Sequence, residues 1–339
     1  MSSGGFYLGI DTSNYKTSTA VIDETGVTAA ELSEFLDVPE GKRGLRQSEA
    51  FFKHSVRLPE HTEKLFSCID PALIKAIGVS EKPRRLEGSY MPCFLAGTNL
   101  AKELGSALKV PVYFFSHQEG HAAAVVPENE ASEDRFLFMH LSGGTTEFIL
   151  ARADEYGYDM KIVGGTKDIS VGQLLDRFGV ALDMPFPAGS YLDEIAFKEL
   201  NAQKEISSSH KMLPKIKVSE GAFNLSGAET RLLRFAGSDE ANDRVILGAV
   251  CGELFMSIYR LLLESANELS SLLGVRTVYL AGGAASSKTI RMLFENNSGD
   301  IFPGLKILFG DAKLSGDNAV GIARLAKRLH ETGNSNTGK

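Results

Sequence analysis

Cysteine is scarce in this 339-residue chain. Cys68, Cys93 and Cys251 lie far apart and form no CxxC pair, which argues against a disulfide framework and against a thiolate zinc site. Positive charge is short as well. The 36 Lys and Arg stand against 43 Asp and Glu, a net charge of −7. Bulk electrostatic binding of RNA or DNA is therefore not indicated, and only Lys82-Pro83-Arg84-Arg85 suggests a local basic patch. No apolar run reaches the ~18 residues that span a bilayer, so no membrane is expected. Met1 to Gly5 has neither a basic nor an apolar region of the kind signal peptides carry, so the cytoplasm is the expected compartment. Two nucleotide signatures are also missing: there is no GxxxxGKS or GxxxxGKT P-loop, and no GxGxxG after a strand.

What remains is an ordinary globular composition, 43% hydrophobic and 23% charged. At ~150 residues per domain the length fits two domains or two lobes. Phe6 to Asp11 is apolar, Thr12 to Lys16 is turn-like, and Thr17 to Asp23 resumes strand character, which predicts a β-hairpin. The pattern returns where Phe136 to Leu141 runs through Ser142-Gly143-Gly144-Thr145-Thr146 into Phe148 to Ala151. Two such hairpins about 130 residues apart read as an internal duplication. A third strand, Thr277 to Ala281, meets Gly282-Gly283 and opens onto a helix from near Ser286 to Phe294. Ala241 to Leu273 is helical by periodicity, with a break expected near Glu264 to Asn267. The final helix is expected over Ala319 to Leu329, and the polar, Gly-bearing residues 331–339 read as a disordered tail.

Three groups of residues could carry chemistry. His117 and His121 are four apart, which on a helix puts both imidazoles on one face, able to grip one metal ion. This is not HExxH: Glu119 stands between the histidines and points away from their face, so it cannot be a zincin base. The glycine turns at Ser142-Gly143-Gly144 and Gly282-Gly283 let backbone approach a phosphate, while each is also an ordinary turn. Asp176, Asp193 and Asp317 are the acidic candidates. Asp317 opens the last helix, where an N-cap role is the ordinary reading.

Taken together these segments resemble the threonylcarbamoyltransferase family that modifies the tRNA adenosine next to the anticodon, formerly named the glycoprotease or O-sialoglycoprotein endopeptidase family. The resemblance runs from about Phe6 to Leu329. The family's HMEGH helix resembles His117-Gln118-Glu119-Gly120-His121, and its VSGGHT turn resembles Leu141 to Thr146. GEAFDK resembles Gly172 to Arg177, YPGG resembles Phe186 to Gly189, and FSGLKT resembles Leu225 to Thr230. AGGVxxN resembles Ala281 to Ser287, and TDNGAMIA resembles Gly316 to Ala323.

The resemblance implies an α/β, actin-like and hsp70-like (ribonuclease H-like) fold, two-lobed, with duplicated mixed sheets and an interlobe cleft. Residues 1–116 with 318–330 would form the N-terminal lobe and 117–317 the C-terminal lobe. It implies a metal-dependent transferase that moves a threonylcarbamoyl group from threonylcarbamoyl-adenylate to the adenosine amine. His117, His121 and Asp317 would hold one divalent metal, iron or zinc. Asp11, His140, Leu141, Ser142, Gly143, Gly144, Thr145, Asp176, Gly189, Asp193, Gly282, Gly283 and Ser287 would bind the substrate, as ATP, AMP or an acyl-adenylate, with magnesium a further candidate. Expected partners are tRNA, which the net charge does not support, and proteins of the same modification pathway. The chain departs from the family at Ser13-Asn14-Tyr15-Lys16-Thr17, where carboxylates give way to a cation, at Tyr90 to Phe94, at Thr145 and at Ser287. Those departures keep alternatives open: a non-catalytic nucleotide-binding relative, or a small-molecule carbamoyltransferase or kinase of the same fold.

Overall fold

The computed structural model describes residues 4–37, 45–126, 135–202, 212–302, 304–311, 313–314 and 316–336. Two compact units emerge. The first comprises Met1–Ser132, Arg152–Met160 and Asp317–Lys339, and the second Glu133–Ala151 and Lys161–Gly316.

The first unit is built from β1 (Phe6–Thr12), β2 (Lys16–Asp23), β3 (Thr28–Phe35), α1 (Gln47–Cys68), β4 (Ile74–Lys82), α2 (Phe94–Leu108), β5 (Val112–Ser116), α3 (His117–Val125) and the last helix, α9 (Val320–Asn336). Its sheet runs in the order β3-β2-β1-β4-β5. The tight turn at 13–15 makes β1 and β2 antiparallel, whereas β1 pairs with β4 and β4 with β5 in parallel. Alternation along β1 and β4 sorts the two faces of the sheet. Leu8, Ile10, Ile77 and Val79 pack with Leu58 and Leu65 of α1 and Ala96 and Ala101 of α2. The residues between them, Gly9 and Gly78, are register partners and lie against α9. A Cβ at Gly9 would stand 2.2 Å from the Ala319 carbonyl oxygen, and one at Gly78 2.6 Å from that of Ile322. The missing side chains give α9 a flat floor.

The second unit holds β6 (Arg135–Leu141), β7 (Thr146–Ala153), β8 (Tyr158–Thr166), α4 (Val171–Ala181), α5 (Gly189–Ala202), β9 (Ala222–Phe223), α6 (Ser226–Ala236), α7 (Arg244–Leu273), β10 (Thr277–Ala281), α8 (Lys288–Ile301) and β11 (Lys306–Phe309). Residues 152–160, at the end of β7 and the start of β8, group with the first unit. The sheet order is β11-β10-β6-β7-β8-β9, and β10 pairs in parallel with both β6 and β11. Read as β8-β7-β6-β10-β11, it repeats the order of the first sheet, so the duplication expected from the hairpins extends to topology.

Three expectations need correction. Helix α7 runs unbroken over 30 residues, because Leu261, Leu262, Leu263, Ser265, Ala266 and Leu269 are all buried through the expected break. It is long and apolar enough to cross a membrane by length and composition, yet Val250, Leu254, Phe255 and Ile258 belong to the core of the second unit. The expected tail is helical to Asn336, extending α9; Lys327 pairs with Glu331 at 3.3 Å, and residues 337–339 lie outside the described residues. The boundary expected at 117 also differs, since α3 and Asp317 group with the first unit. The reason is a glycine contact: a Cβ at Gly321 of α9 would stand 1.9 Å from the Gly120 carbonyl oxygen of α3.

Helix starts in the second unit rely on aspartates. Asp243 accepts from the Val245 and Ile246 amides at the head of α7. Asp168 does the same for α6 from a distant loop, taking the Leu225 amide at 2.9 Å and the Ser226 amide at 3.0 Å, together with Ile169 N–H and Thr166 Oγ1. Partial burial opposes its charge, but these donors hold the Asp168 carboxyl well below the usual carboxylate range.

Two outcomes follow from these contacts. Gly321→Ala forces α3 and α9 apart and lowers unfolding free energy by about 3 kcal/mol, whereas Gly227→Ala, facing open space, stays within about 0.5 kcal/mol; urea unfolding measures both. For Asp168, a folded pKa below the unfolded one gives stability that is complete above the ordinary value of 3.8 and lost progressively as pH falls from there through the lower folded value. Asp168→Asn therefore melts below the wild type at neutral pH, and the gap between the two melting temperatures narrows as pH falls below the ordinary value of 3.8; a gap of unchanged size at pH ~2 would contradict the capping account.

Candidate functional site

The first unit assembles its site at the head of α3. Ser116, the last residue of β5, caps the helix: its Oγ accepts the Glu119 amide at 3.2 Å, and Glu119 Oε2 accepts the Ser116 amide at 2.8 Å. The capping box fixes His117 as the first helical residue and His121 one turn on. It also commits Glu119, which is buried and whose other oxygen faces the Tyr158 amide at 3.3 Å and Arg85 at 3.6 Å. Ahead of α9 the capping is done by Asn318, whose Oδ1 accepts the Val320 and Gly321 amides, while Ser18 Oγ accepts that of Ala319. The N-cap reading of Asp317 therefore gives way, and its carboxylate is left to face α3.

The three side chains converge. Asp317 Oδ1 lies 3.2 Å from His121 Nε2 and 3.5 Å from His117 Nε2, and the two Nε2 atoms are 3.1 Å apart. Among the described residues this is the one group of three His, Cys, Asp or Glu able to hold a metal ion, with all ligand atoms within 4.8 Å. Ligands at ~2.1 Å from an ion, 90° to 109° apart, are separated by about 3.0–3.4 Å, so the triangle has the size that coordination demands. Two imidazole Nε2 atoms this close also need a proton or a cation between them. The residues fit a divalent metal.

The partners of these ligands fix their orientation. His117 Nδ1 donates to Asp11 Oδ1 at 3.0 Å, which leaves Nε2 for a metal. Ser80 Oγ donates to the same oxygen, and Asp11 Oδ2 is buried with no hydrogen-bond partner. Asp11, expected among the substrate-binding residues, thus sits behind His117. Ser13 Oγ donates to Asp317 Oδ2 at 2.7 Å. Burial disfavours every charge here, yet Asp11 and Asp317 hold the His117 imidazolium well above its usual range. Burial and the His117 charge push His121 down. Against burial, the two imidazoles hold the Asp317 carboxyl well below the usual carboxylate range.

Of the residues where the chain departs from its family resemblance, Lys16 points its ammonium over the Phe35 ring at 5.0 Å, and Asn14 accepts from Gln47. Cys93 is buried and its carbonyl accepts from Thr12 Oγ1 at 3.2 Å; Phe94 packs against His117 with ring centroids 6.0 Å apart.

The second unit brings the two glycine turns together at the carboxyl ends of neighbouring parallel strands, with Ala281 opposite His140. Open α/β sheets bind ligands at such ends. Gly282 has φ +100°, and a Cβ there would stand 2.3 Å from the Leu141 carbonyl oxygen, so glycine is required. Gly143, Gly144 and Gly283 face open space. Ser142 Oγ accepts the Gly144 amide at 3.2 Å and the Thr145 amide at 3.0 Å, and Thr145 Oγ1 lies 2.8 Å from Ser142 Oγ and 3.4 Å from His140 Nδ1.

The acidic candidates of this unit also serve as caps. Asp176 Oδ1 accepts the Ala188 amide at 2.8 Å and the Gly189 amide at 3.3 Å at the head of α5, while burial raises its carboxyl. Asp193 Oδ1 accepts Ser287 Oγ at 2.6 Å and the Thr289 amide, and Oδ2 accepts the Lys288 amide, at the head of α8. Sequence reading missed Ser13, Ser80, Asn318 and His54. The hydroxyl-rich, buried run Thr17-Ser18-Thr19 facing two histidines of one helix was the available signal.

An α/β fold of the actin-like kind carrying a partly buried His-His-Asp cluster is thus defined. Solved structures share the fold: the activator of 2-hydroxyisocaproyl-CoA dehydratase from Clostridium difficile with bound ADPNP matches with TM-score 0.51 and 15% identity, over 98% of both chains. HypF of T. kodakarensis matches with TM-score 0.56 and 14% identity, over 97% of this chain and 48% of that one. The chain belongs to the family described as TsaD, tRNA N6-adenosine threonylcarbamoyltransferase, which matches residues 38–324. Relatives bearing that name include proteins of Thermotoga neapolitana, 27% identical over 94% of this chain and 92% of the relative, and of Desulfotalea psychrophila, 27% identical over 93% and 90%.

If the three ligands act as one site, His117→Ala and Asp317→Ala lower metal content to the same extent, by elemental analysis of purified protein. A variant that keeps the wild-type stoichiometry would remove its residue from the ligand set.

Proposed function

We propose that this protein transfers a threonylcarbamoyl group from threonylcarbamoyl-adenylate to the exocyclic amine of the tRNA adenosine next to the anticodon. The observation that carries the reading is the convergence of His117, His121 and Asp317, held by Asp11 and Ser13, in a chain of this family. In the reaction the amine nitrogen forms a bond to the carbamoyl carbon, the bond from that carbon to the adenylate phosphate oxygen breaks, and AMP leaves with the electron pair. The amine proton passes to the leaving phosphate or to solvent. The three ligands would hold a divalent iron or zinc, which when bound supplies Lewis-acid polarisation of substrate oxygens. The adenylate lies across Ser142-Gly143-Gly144 and Gly282-Gly283, whose open glycines admit close approach of a phosphate. Asp176 and Asp193 keep the heads of α5 and α8 in place beside it, with Gly189 and Ser287 on the ribose side. The work belongs in the cytoplasm, with tRNA and with proteins of the same modification pathway.

A protease reading loses support from Glu119, whose oxygens are committed to the α3 cap and to Tyr158. A kinase reading loses support from the first turn, where Lys16 stacks on Phe35 and no carboxylate stands at 13–17.

Gly143→Val tests the adenylate assignment, because a Cβ there meets no heavy atom within 4 Å and the substitution points into open space. Incubation with threonylcarbamoyl-adenylate and tRNA, followed by nucleoside mass spectrometry, gives the modified adenosine with wild type and little with the variant, whose AMP affinity by calorimetry falls at least about tenfold, or ~1.4 kcal/mol. Equal AMP binding by both proteins overturns the assignment. AMP binding by wild type without transfer would favour the non-catalytic relative.

A further inference from the structure

We propose that Ser13 is a positioning residue for the Asp317 carboxylate and that His54, a buried histidine of α1, sets Ser13 in place. The proposal rests on the metal reading of the His-His-Asp cluster.

The two oxygens of Asp317 have different partners. Oδ1 faces both imidazole Nε2 atoms, and Oδ2 accepts Ser13 Oγ at 2.7 Å. A carboxylate terminal torsion is broad, so a single strong donor on one oxygen fixes the angle at which the other faces the histidines. Ser13 lies in the β1–β2 turn and is 4% exposed. Its own carbonyl is held by His54 Nε2 at 2.7 Å. A carbonyl only accepts, so Nε2 carries the proton. In the neutral ring Nδ1 is then the acceptor, and it takes the hydroxyl of Thr17 at 2.8 Å. One fully buried imidazole is therefore bonded to both arms of the turn, at residues 13 and 17. Burial lowers its pKa and keeps it neutral.

His61 supplies an internal control. It is seven residues on, on the same helix and equally buried, and its Nδ1 meets Thr19 Oγ1 at 3.1 Å. Its other nitrogen faces Glu34 at 3.7 Å and not the turn. A histidine that merely fills space between α1 and β2 would behave like His61. A histidine that sets Ser13 would not.

Cobalt(II) titration of the full chain, followed by its visible absorption, reads both affinity and ligand geometry without reference to activity. Ser13→Ala weakens Co²⁺ binding by about 10–100-fold and alters the spectrum, as loss of an outer partner does at other metal sites. Ser13→Thr, which keeps the hydroxyl, restores both. His54→Leu weakens binding as well, His54→Gln keeps a donor for the Ser13 carbonyl and recovers most of it, and His61→Leu leaves it unchanged. The double variant Ser13→Ala/His54→Leu binds no more weakly than Ser13→Ala alone, because His54 acts through Ser13. Wild-type affinity and spectrum in Ser13→Ala, or additive losses in the double variant, overturn the proposal while the metal reading stands, provided His117→Ala abolishes binding. Equal binding by wild type and His117→Ala overturns the metal reading and this proposal with it. If circular dichroism shows Ser13→Ala unfolded, Ser13→Gly replaces it, which removes the same hydroxyl and adds no metal ligand, and the same outcomes decide.

Discussion

The site depends on one close approach of two helices. Asp317 reaches His117 and His121 because α9 lies against α3 where neither has a side chain: the Cβ position of Gly321 is 1.9 Å from the Gly120 carbonyl oxygen. On its other side α9 rests on Gly9 and Gly78, paired across β1 and β4. Any side chain at these positions would lift α9 from α3 or from the sheet. The carboxylate would then leave the range at which one oxygen can face two imidazoles. Backbone contact between helices is what glycine permits and every other residue obstructs.

Partial burial of that cluster creates an electrostatic demand which neighbouring elements meet. A carboxylate away from water is costly unless paired and hydrogen-bonded. Asp317 has two imidazoles on one oxygen and a hydroxyl on the other, and Asp11 has an imidazole and the hydroxyl of Ser80. The partners come from β1, the β1–β2 turn, β4 and α3, so the cluster links the two central parallel strands of the first sheet to the two helices. A divalent cation would draw on the same three groups, whose orientation these contacts already fix.

In the second unit carboxylates do another job. Asp168, Asp176, Asp193 and Asp243 each accept backbone amides at the head of a helix, the first three from a distance in sequence. Helix N-termini carry unsatisfied donors and partial positive charge, and an anion there satisfies both. The α5 and α8 heads are held in this way beside turns whose glycines remain open.

The sequence by itself determined whatever repeats locally. Both hairpins were legible from alternating apolar residues and turn chemistry, their duplication from recurrence, and the helical pairing of His117 with His121 from a four-residue step. Resemblance to a family joined Asp317 to them, though the residue alone read as a cap. Tertiary structure decided that Asn318 caps α9 in its place, that Asp11 stands behind His117, and that Asp193 serves α8. It also decided that α7 runs unbroken and that the chain past Glu331 continues a helix. Ser13 meets Asp317 across 304 residues of chain, and His54 meets Ser13 across 41. Periodicity and turn chemistry report interactions within a few residues. Contacts at these separations exist only once strand order and glycine-to-backbone packing have brought the elements together.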